Sequence, residues 1–140
     1  MATPYSTIYE RCLQKLTDYD FANMSEYDLT DTLHSYMLSA IAKFRKCKND
    51  LKDRDDELAQ FNIDLEYEEI EILAIMIARE WLQPQLTSTL VTQQIYSSKE
   101  VNAFSQSSHL AQLQALDTKL KLEAQKLSRD YTYANTTYFD

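Results

Sequence analysis

The chain of 140 residues contains no glycine. Average usage near 7% would give about ten. Glycine supplies the positive φ of tight turns and lets the backbone approach a phosphate closely. Walker loops, dinucleotide-binding fingerprints and nucleophile elbows all require it, so the sequence excludes these motifs. Its absence also disfavours hairpins with primed turns and indicates a mainly helical protein.

Cysteine and histidine are scarce as well. Cys12 and Cys47 are the two cysteines, and His34 and His109 are the two histidines. Two cysteines at apolar positions do not make a disulfide framework, so we interpret them as reduced core thiols. Neither histidine has a metal-ligating residue three or four positions after it, so both are interpreted as surface histidines. We therefore expect no bound metal, no cofactor and no enzymatic activity.

Acidic residues outnumber basic ones by 22 to 14, which gives a net charge of −8. Such a chain repels nucleic acid and anionic lipid, so we expect neither sequence-specific DNA binding nor a membrane partner. The first residues lack the pattern of a signal peptide. The longest apolar run, Ile72 to Ala78, is seven residues long, whereas a membrane span needs about 20. These features predict a soluble protein made in a reducing cytoplasm.

Two clusters of charge have simple interpretations. The run from Asp50 to Glu57 resembles a calcium loop only superficially, because Asp55 and Phe61 stand where an EF-hand needs glycine and glutamate. We interpret residues 49–60 as a solvated, partly helical linker. The basic residues at 43–48 complement the carbonyl end of a helix, with a nucleic-acid patch as the alternative.

Apolar spacing predicts four to five helices in one bundle. The first begins after Pro4, and the second opens at Ser25, whose pairing with Asp28 resembles a capping box. The strongest covers residues 66–82 and ends or kinks near Pro84, after which a further helix follows. A last helix, capped by Ser107 or Ser108, carries a long apolar stripe. The predicted core residues are Ile70, Leu73, Ile77, Trp81, Leu113, Leu120 and Leu127.

Two local features of the sequence need separate interpretation. Phe61, Ile63 and Leu65 alternate with polar residues, which favours one short strand; the segment holding Val101 and Phe104 is its candidate partner in a minor two-stranded element. Arg79 and Glu80 interrupt the apolar helix. They lie either on a face that reaches solvent or in a buried or inter-subunit ion pair.

The C-terminal residues are unusually aromatic. We place a single helical domain at residues 1–130 and an extended interaction tail at 131–140. The tail contains Tyr131, Tyr133, Tyr138 and Phe139. Aromatic residues of this kind are enriched at interfaces, so we expect them to dock on another protein molecule. Packing of the tail on the protein's own core is the alternative.

Several stretches together resemble a known family of small proteins. They are Tyr5–Glu10, Lys15–Phe21, Ser39–Cys47, Asp53–Leu58, Glu68–Ala74, Glu80–Pro84 and Asp130–Asn135. In this order they resemble head–tail connector (adaptor, or head completion) proteins of tailed bacteriophages that infect Gram-positive bacteria. The resemblance covers most of the chain and depends on positions spread along it.

The resemblance implies a structural role in the virion neck. Such adaptors dock beneath the portal protein as a ring of about twelve neighbouring copies. The resemblance also implies that the tail residues dock on the portal or a neighbouring subunit, namely Tyr131, Tyr133, Tyr138 and Phe139. They extend the DNA channel toward the next neck protein, the stopper, and genomic DNA passes through the lumen without sequence-specific binding. The alternatives are a stopper or tail-completion protein and a small helical regulator that binds a protein partner.

Overall fold

The computed structural model describes residues 2–16, 25–45, 47–95 and 100–134. Within them the chain forms helices α1 (Tyr5–Gln14), α2 (Glu26–Lys43), α3 (Tyr67–Ile95) and α4 (Glu100–Ala134). Short strands β1 (Thr3–Pro4), β2 (Arg54–Asp55) and β3 (Gln60–Phe61) complete the fold. The prediction of a mainly helical bundle with a minor strand element is confirmed. None of the helices in these described ranges has an apolar stretch of the length that a bilayer requires.

The starts of the first two helices follow the sequence signals. Pro4 precedes α1 with φ −64° and ψ 143°, so its fixed φ leads the chain into the helix. The hydroxyl of Ser25 accepts a hydrogen bond of 3.1 Å from the backbone N–H of Asp28. This bond satisfies one of the unpaired donors of the first turn of α2. Residues 17–24, between these two helices, lie outside the described residues.

Helix α3 is the element on which the other three helices pack. Its residues 72–75 and the pair Ile77 and Ala78 are fully buried, as the apolar run predicts. Of the predicted core residues, Ile70, Leu73, Ile77, Leu113 and Leu120 are buried, and Trp81 and Leu127 are partly buried against them.

Pro84 neither ends α3 nor separates it from a further helix, contrary to the sequence prediction. Proline removes one backbone donor and crowds the preceding turn, but Pro84 itself is exposed. Leu82 before it is buried, and Leu86 after it is partly buried. Apolar contacts on both sides of the proline therefore hold the two halves of α3 in one helix.

Helix α4 is longer at both ends than the sequence predicts. It begins at Glu100 rather than after Ser107 or Ser108, and it continues to Ala134. The buried stripe of α4 includes Leu110, Ala124 and Tyr131. Tyr131 extends the packed face of the helix beyond residue 130. The helical unit thus ends after Ala134, and residues 135–140 lie outside the described residues.

The strands form a small antiparallel sheet with the order β1-β3-β2. Thr3 pairs with Phe61, and Arg54 pairs with Phe61 on its other side. The predicted partner segment was wrong, because residues 101–104 belong to α4. The expected partly helical linker is instead a hairpin of β2, a turn at residues 56–59 and β3. We call residues 54–61 the acidic hairpin, after Asp55, Asp56 and Glu57.

The turn of the acidic hairpin places a residue other than glycine at positive φ. Ala59 has φ 53°, the left-handed region that glycine adopts without steric cost. Its carbonyl accepts a hydrogen bond of 2.9 Å from the backbone N–H of Tyr5, the first residue of α1. This bond fixes the unusual backbone at the point where the hairpin meets α1.

Ala59→Gly is expected to raise the free energy of unfolding by about 0.5–1 kcal/mol, since it relieves the strain at positive φ. Ala42→Gly, on the exposed face of α2, is the matched control and is expected to lower it by about 1 kcal/mol. Urea unfolding of the three proteins measures both effects. A loss of stability in Ala59→Gly equal to that of the control would contradict the assignment.

Candidate functional site

A buried carboxylate lies where α3 begins. Glu69, in the first turn of α3, is fully inaccessible to solvent. Its Oε1 accepts a hydrogen bond of 2.8 Å from the backbone N–H of Glu66, just before the helix. This is the glutamate half of a capping box, and the negative charge also complements the helix dipole.

Three side chains from other parts of the fold donate to the same carboxylate. Asn49 Nδ2 lies 2.7 Å from Oε1. Cys47 Sγ and Tyr131 Oη lie 3.0 Å and 2.9 Å from Oε2. The Tyr131 hydroxyl also accepts a hydrogen bond of 2.7 Å from the backbone N–H of Lys48. Glu69 thus connects the segment after α2, the start of α3 and the end of α4.

The hydrogen bonds keep Glu69 ionised. Burial by itself would raise its pKa, but the donors from Cys47, Glu66, Tyr131 and Asn49 outweigh burial and hold the pKa below its ordinary value. Burial, followed by the bond to Glu69, raises the pKa of Cys47 to about 12. Cys47 is therefore a neutral donor at neutral pH and lacks the thiolate that nucleophilic chemistry needs.

The structure places Tyr131 in the protein's own core, which corrects its assignment to an intermolecular tail. Its side chain is buried, and its ring meets that of Phe44 edge to face at 5.7 Å between centroids. The physical reason is that the apolar stripe of α4 continues through Tyr131 and that Glu69 accepts a hydrogen bond from the Tyr131 hydroxyl. Tyr133 is 61% exposed. Tyr138 and Phe139 lie outside the described residues.

A second polar cluster fastens the acidic hairpin to the helices. The Tyr5 hydroxyl donates a hydrogen bond of 2.6 Å to Asp56 Oδ1. The His34 ring stacks on Tyr5 at 5.6 Å between centroids, and its Nε2 lies 3.9 Å from Asp56 Oδ1. His34 was predicted at the surface, but it is half-buried in this cluster. The hydrogen bond from Tyr5, together with the charge of Arg54, holds the pKa of Asp56 below its ordinary value.

A groove of about 870 Å³ runs between the end of α2, the middle of α3 and the second half of α4. Four cations line it, Lys43, Arg79, Lys121 and Arg129, against one acid, Glu80. Met76 and Ala124 supply apolar atoms to its wall. On a chain of net charge −8, this concentration of positive charge makes the groove a candidate binding surface. We call it the basic groove.

Three charged residues that line the basic groove form ion pairs between helices. Lys43 of α2 pairs with Glu80 of α3. Arg79 Nε lies 3.1 Å from Asp117 Oδ1 of α4. Arg79 and Glu80 thus form partly exposed ion pairs between helices of one chain. This differs from both alternatives that the sequence left open, a solvent-reaching face and a buried or inter-subunit ion pair. Among the residues that the structure describes, Lys121 and Arg129 have no acidic partner within ion-pair distance.

Sequence reasoning did not find either site. The basic groove draws its cations from three helices that lie far apart in the chain, and only Lys43 belongs to a cluster visible in the sequence. The buried role of Glu69 is hidden among the neighbouring acids Glu66, Glu68 and Glu71. One signal was available, because a glutamate three residues after a helix start is typical of a capping box.

Comparison of the chain with models of protein families, with curated proteins and with solved structures finds no match. In the part of the chain that the structure describes, no group of three or more His, Cys, Asp or Glu side chains is arranged to hold a metal ion.

Tyr131→Phe tests the link between α3 and α4. It keeps the packed ring but leaves Glu69 Oε2 and the Lys48 N–H each without one partner. We expect the free energy of unfolding to fall by about 1–3 kcal/mol. Tyr67→Phe, at an 86% exposed tyrosine of α3, is the matched control and should change it little. Equal stability of the two variants in urea would show that the hydroxyl contributes nothing.

The Glu69 carboxylate also predicts a pH dependence. Because its folded-state pKa lies below its ordinary value of 4.5, the stability it contributes is present above that pH and is lost as the pH falls through the folded-state value. Glu69→Gln removes this contribution. We expect the free energy of unfolding of the wild type to fall more steeply on acidification below about pH 4.5 than that of Glu69→Gln. Glu68→Gln, at an exposed neighbour, should follow the wild type.

Proposed function

We propose that this chain is a structural virion protein, a head–tail adaptor that docks as a ring beneath the portal of a tailed bacteriophage. In this role it extends the DNA channel toward the stopper and performs no catalysis. Its site of action is the neck of the virion, after synthesis in the cytoplasm of the bacterial host.

One observation carries the proposal: the stretches that resemble the adaptor family contact one another. Cys47, Glu69 and Tyr131 come from three of these stretches and meet at one carboxylate. Tyr5 and Asp56 join two others. Five of the seven stretches thus meet in two polar clusters. A scaffold shared with the adaptor family would require such contacts between the stretches.

The charge of the chain suits a DNA channel. Duplex DNA carries one negative charge per ~1.7 Å of its axis, and it interacts weakly with an acidic wall. A ring built from copies of net charge −8 offers such a wall where its acids face the lumen. We propose that acidic residues line the channel and keep the DNA mobile during packaging and ejection.

Co-expression of the full chain with the portal protein of the same genome tests the proposal. Native mass spectrometry of the purified complex should give about twelve adaptor copies per portal ring, the number that the resemblance implies. A stable monomer or dimer that does not associate with the portal would overturn the proposal. That outcome would favour a lower neck protein or the helical regulator, which the basic groove would also suit.

The same experiment can test whether the C-terminal residues 135–140 dock on the portal. The cut must follow Ala134, because Tyr131 belongs to the core. A chain that ends at Ala134 is expected to unfold at the wild-type temperature but to lose its place on the portal. The full-length variant Tyr138→Ser/Phe139→Ser, which keeps the chain length, should show the same loss. Normal assembly of both variants on the portal would contradict a docking role of residues 135–140.

A further inference from the structure

We propose that the basic groove of one copy receives the acidic hairpin of a second copy, so that identical chains join head to tail. The inference rests on the proposed function in one respect, because it supplies the contact by which neighbouring copies would form the ring. It goes beyond the resemblance by naming the two surfaces and the residues on each.

The basic groove has the chemistry to hold an acidic segment. Lys121 and Arg129 lie about two turns apart on α4 and both line the groove. Within the described residues neither has an acidic partner, whereas Lys43 and Arg79 are each paired inside the chain. Two cations therefore remain for a partner. Met76 and Ala124 offer apolar surface beside them.

The acidic hairpin presents the complementary features at its turn. Asp55, Asp56 and Glu57 are consecutive, and Leu58 next to them is 66% exposed. Asp56 is already paired with Tyr5, Arg54 and His34 within the chain. Asp55, Glu57 and the exposed leucine are therefore the groups that match a groove combining apolar atoms with cations. The turn is also held in place, since Asp56 accepts from Tyr5 and the Ala59 carbonyl accepts from the Tyr5 N–H. Little conformational entropy is therefore lost when it binds.

The two surfaces belong to different parts of the molecule. The hairpin is fastened to α1 and to His34 of α2, whereas the groove lies along α3 and α4 and reaches α2 at Lys43. About 14 Å of helix separates His34 from Lys43. Because the hairpin is held at Tyr5 in its own copy, the proposed occupant of the groove is the hairpin of another copy. Contacts of this heterologous kind form a closed ring or an open filament.

Charge reversal in the full chain tests the contact. The groove variant Lys121→Glu/Arg129→Glu and the hairpin variant Asp55→Lys/Glu57→Lys are each expected to weaken self-association at least about tenfold by analytical ultracentrifugation. An equimolar mixture of the two should associate in a 1:1 ratio, because the unchanged hairpin of the first variant fits the unchanged groove of the second. The reversed groove and the reversed hairpin also carry opposite charges. Lys119→Glu and Asp64→Lys, at exposed positions outside both surfaces, are the matched controls. Wild-type association in the two test variants would overturn the inference.

A photo-cross-linker at the hairpin gives a second readout that needs no charge change. Benzoylphenylalanine in place of Leu58 should cross-link to residues of the basic groove of another copy, with Met76 the expected site. Cross-links to a different surface, or none between copies at the highest soluble concentration, would overturn the inference.

The two proposals fail in different ways. An adaptor that joins the portal in about twelve copies, but whose Leu58 cross-links elsewhere, would keep the proposed function and discard this contact. Copies that join through hairpin and groove but ignore the portal would keep this contact and discard the adaptor role.

Discussion

The buried carboxylate of Glu69 is the interaction on which the arrangement of this fold depends. It is an anion without a cationic partner in the described residues, held by four neutral or backbone donors. A buried charge is costly unless every lone pair is satisfied, so each donor must be in place for the others to be useful. The end of α4 and the segment after α2 are thereby fixed to the start of α3. The core around α3 supplies the rest of the stability by burial of apolar surface.

A chain without glycine must build its turns by other means. The acidic hairpin uses Ala59 at positive φ, and the hydrogen bonds to Tyr5 hold that turn against α1. The second polar cluster, in which His34 stacks on Tyr5, fixes the hairpin to α1 and α2. Glu69 in the same way fixes the end of α4 and the segment after α2 to the start of α3. In both places polar side chains from distant parts of the sequence hold irregular backbone on a helical scaffold.

The distribution of charge gives the fold two different surfaces. The chain is acidic as a whole, yet three helices place four cations along one groove. Two of these form interhelical ion pairs, and the other two have no acidic partner among the residues that the structure describes. An acidic protein with a localised basic groove suits assembly with an acidic surface while it still repels DNA. This combination is what an adaptor in a ring around a DNA channel would require.

The sequence by itself determined the helical class, the buried stripe of α4, the cap at Ser25 and the apolar centre of α3. These features depend on the spacing of residues within one segment, which a sequence displays directly. Only the tertiary structure decided that α3 continues through Pro84, that Tyr131 belongs to the core and that residues 101–104 are helical. It also brought Cys47, Glu69 and Tyr131 together and formed the basic groove. These outcomes depend on contacts between segments far apart in the chain, whose packing energy outweighs local propensity.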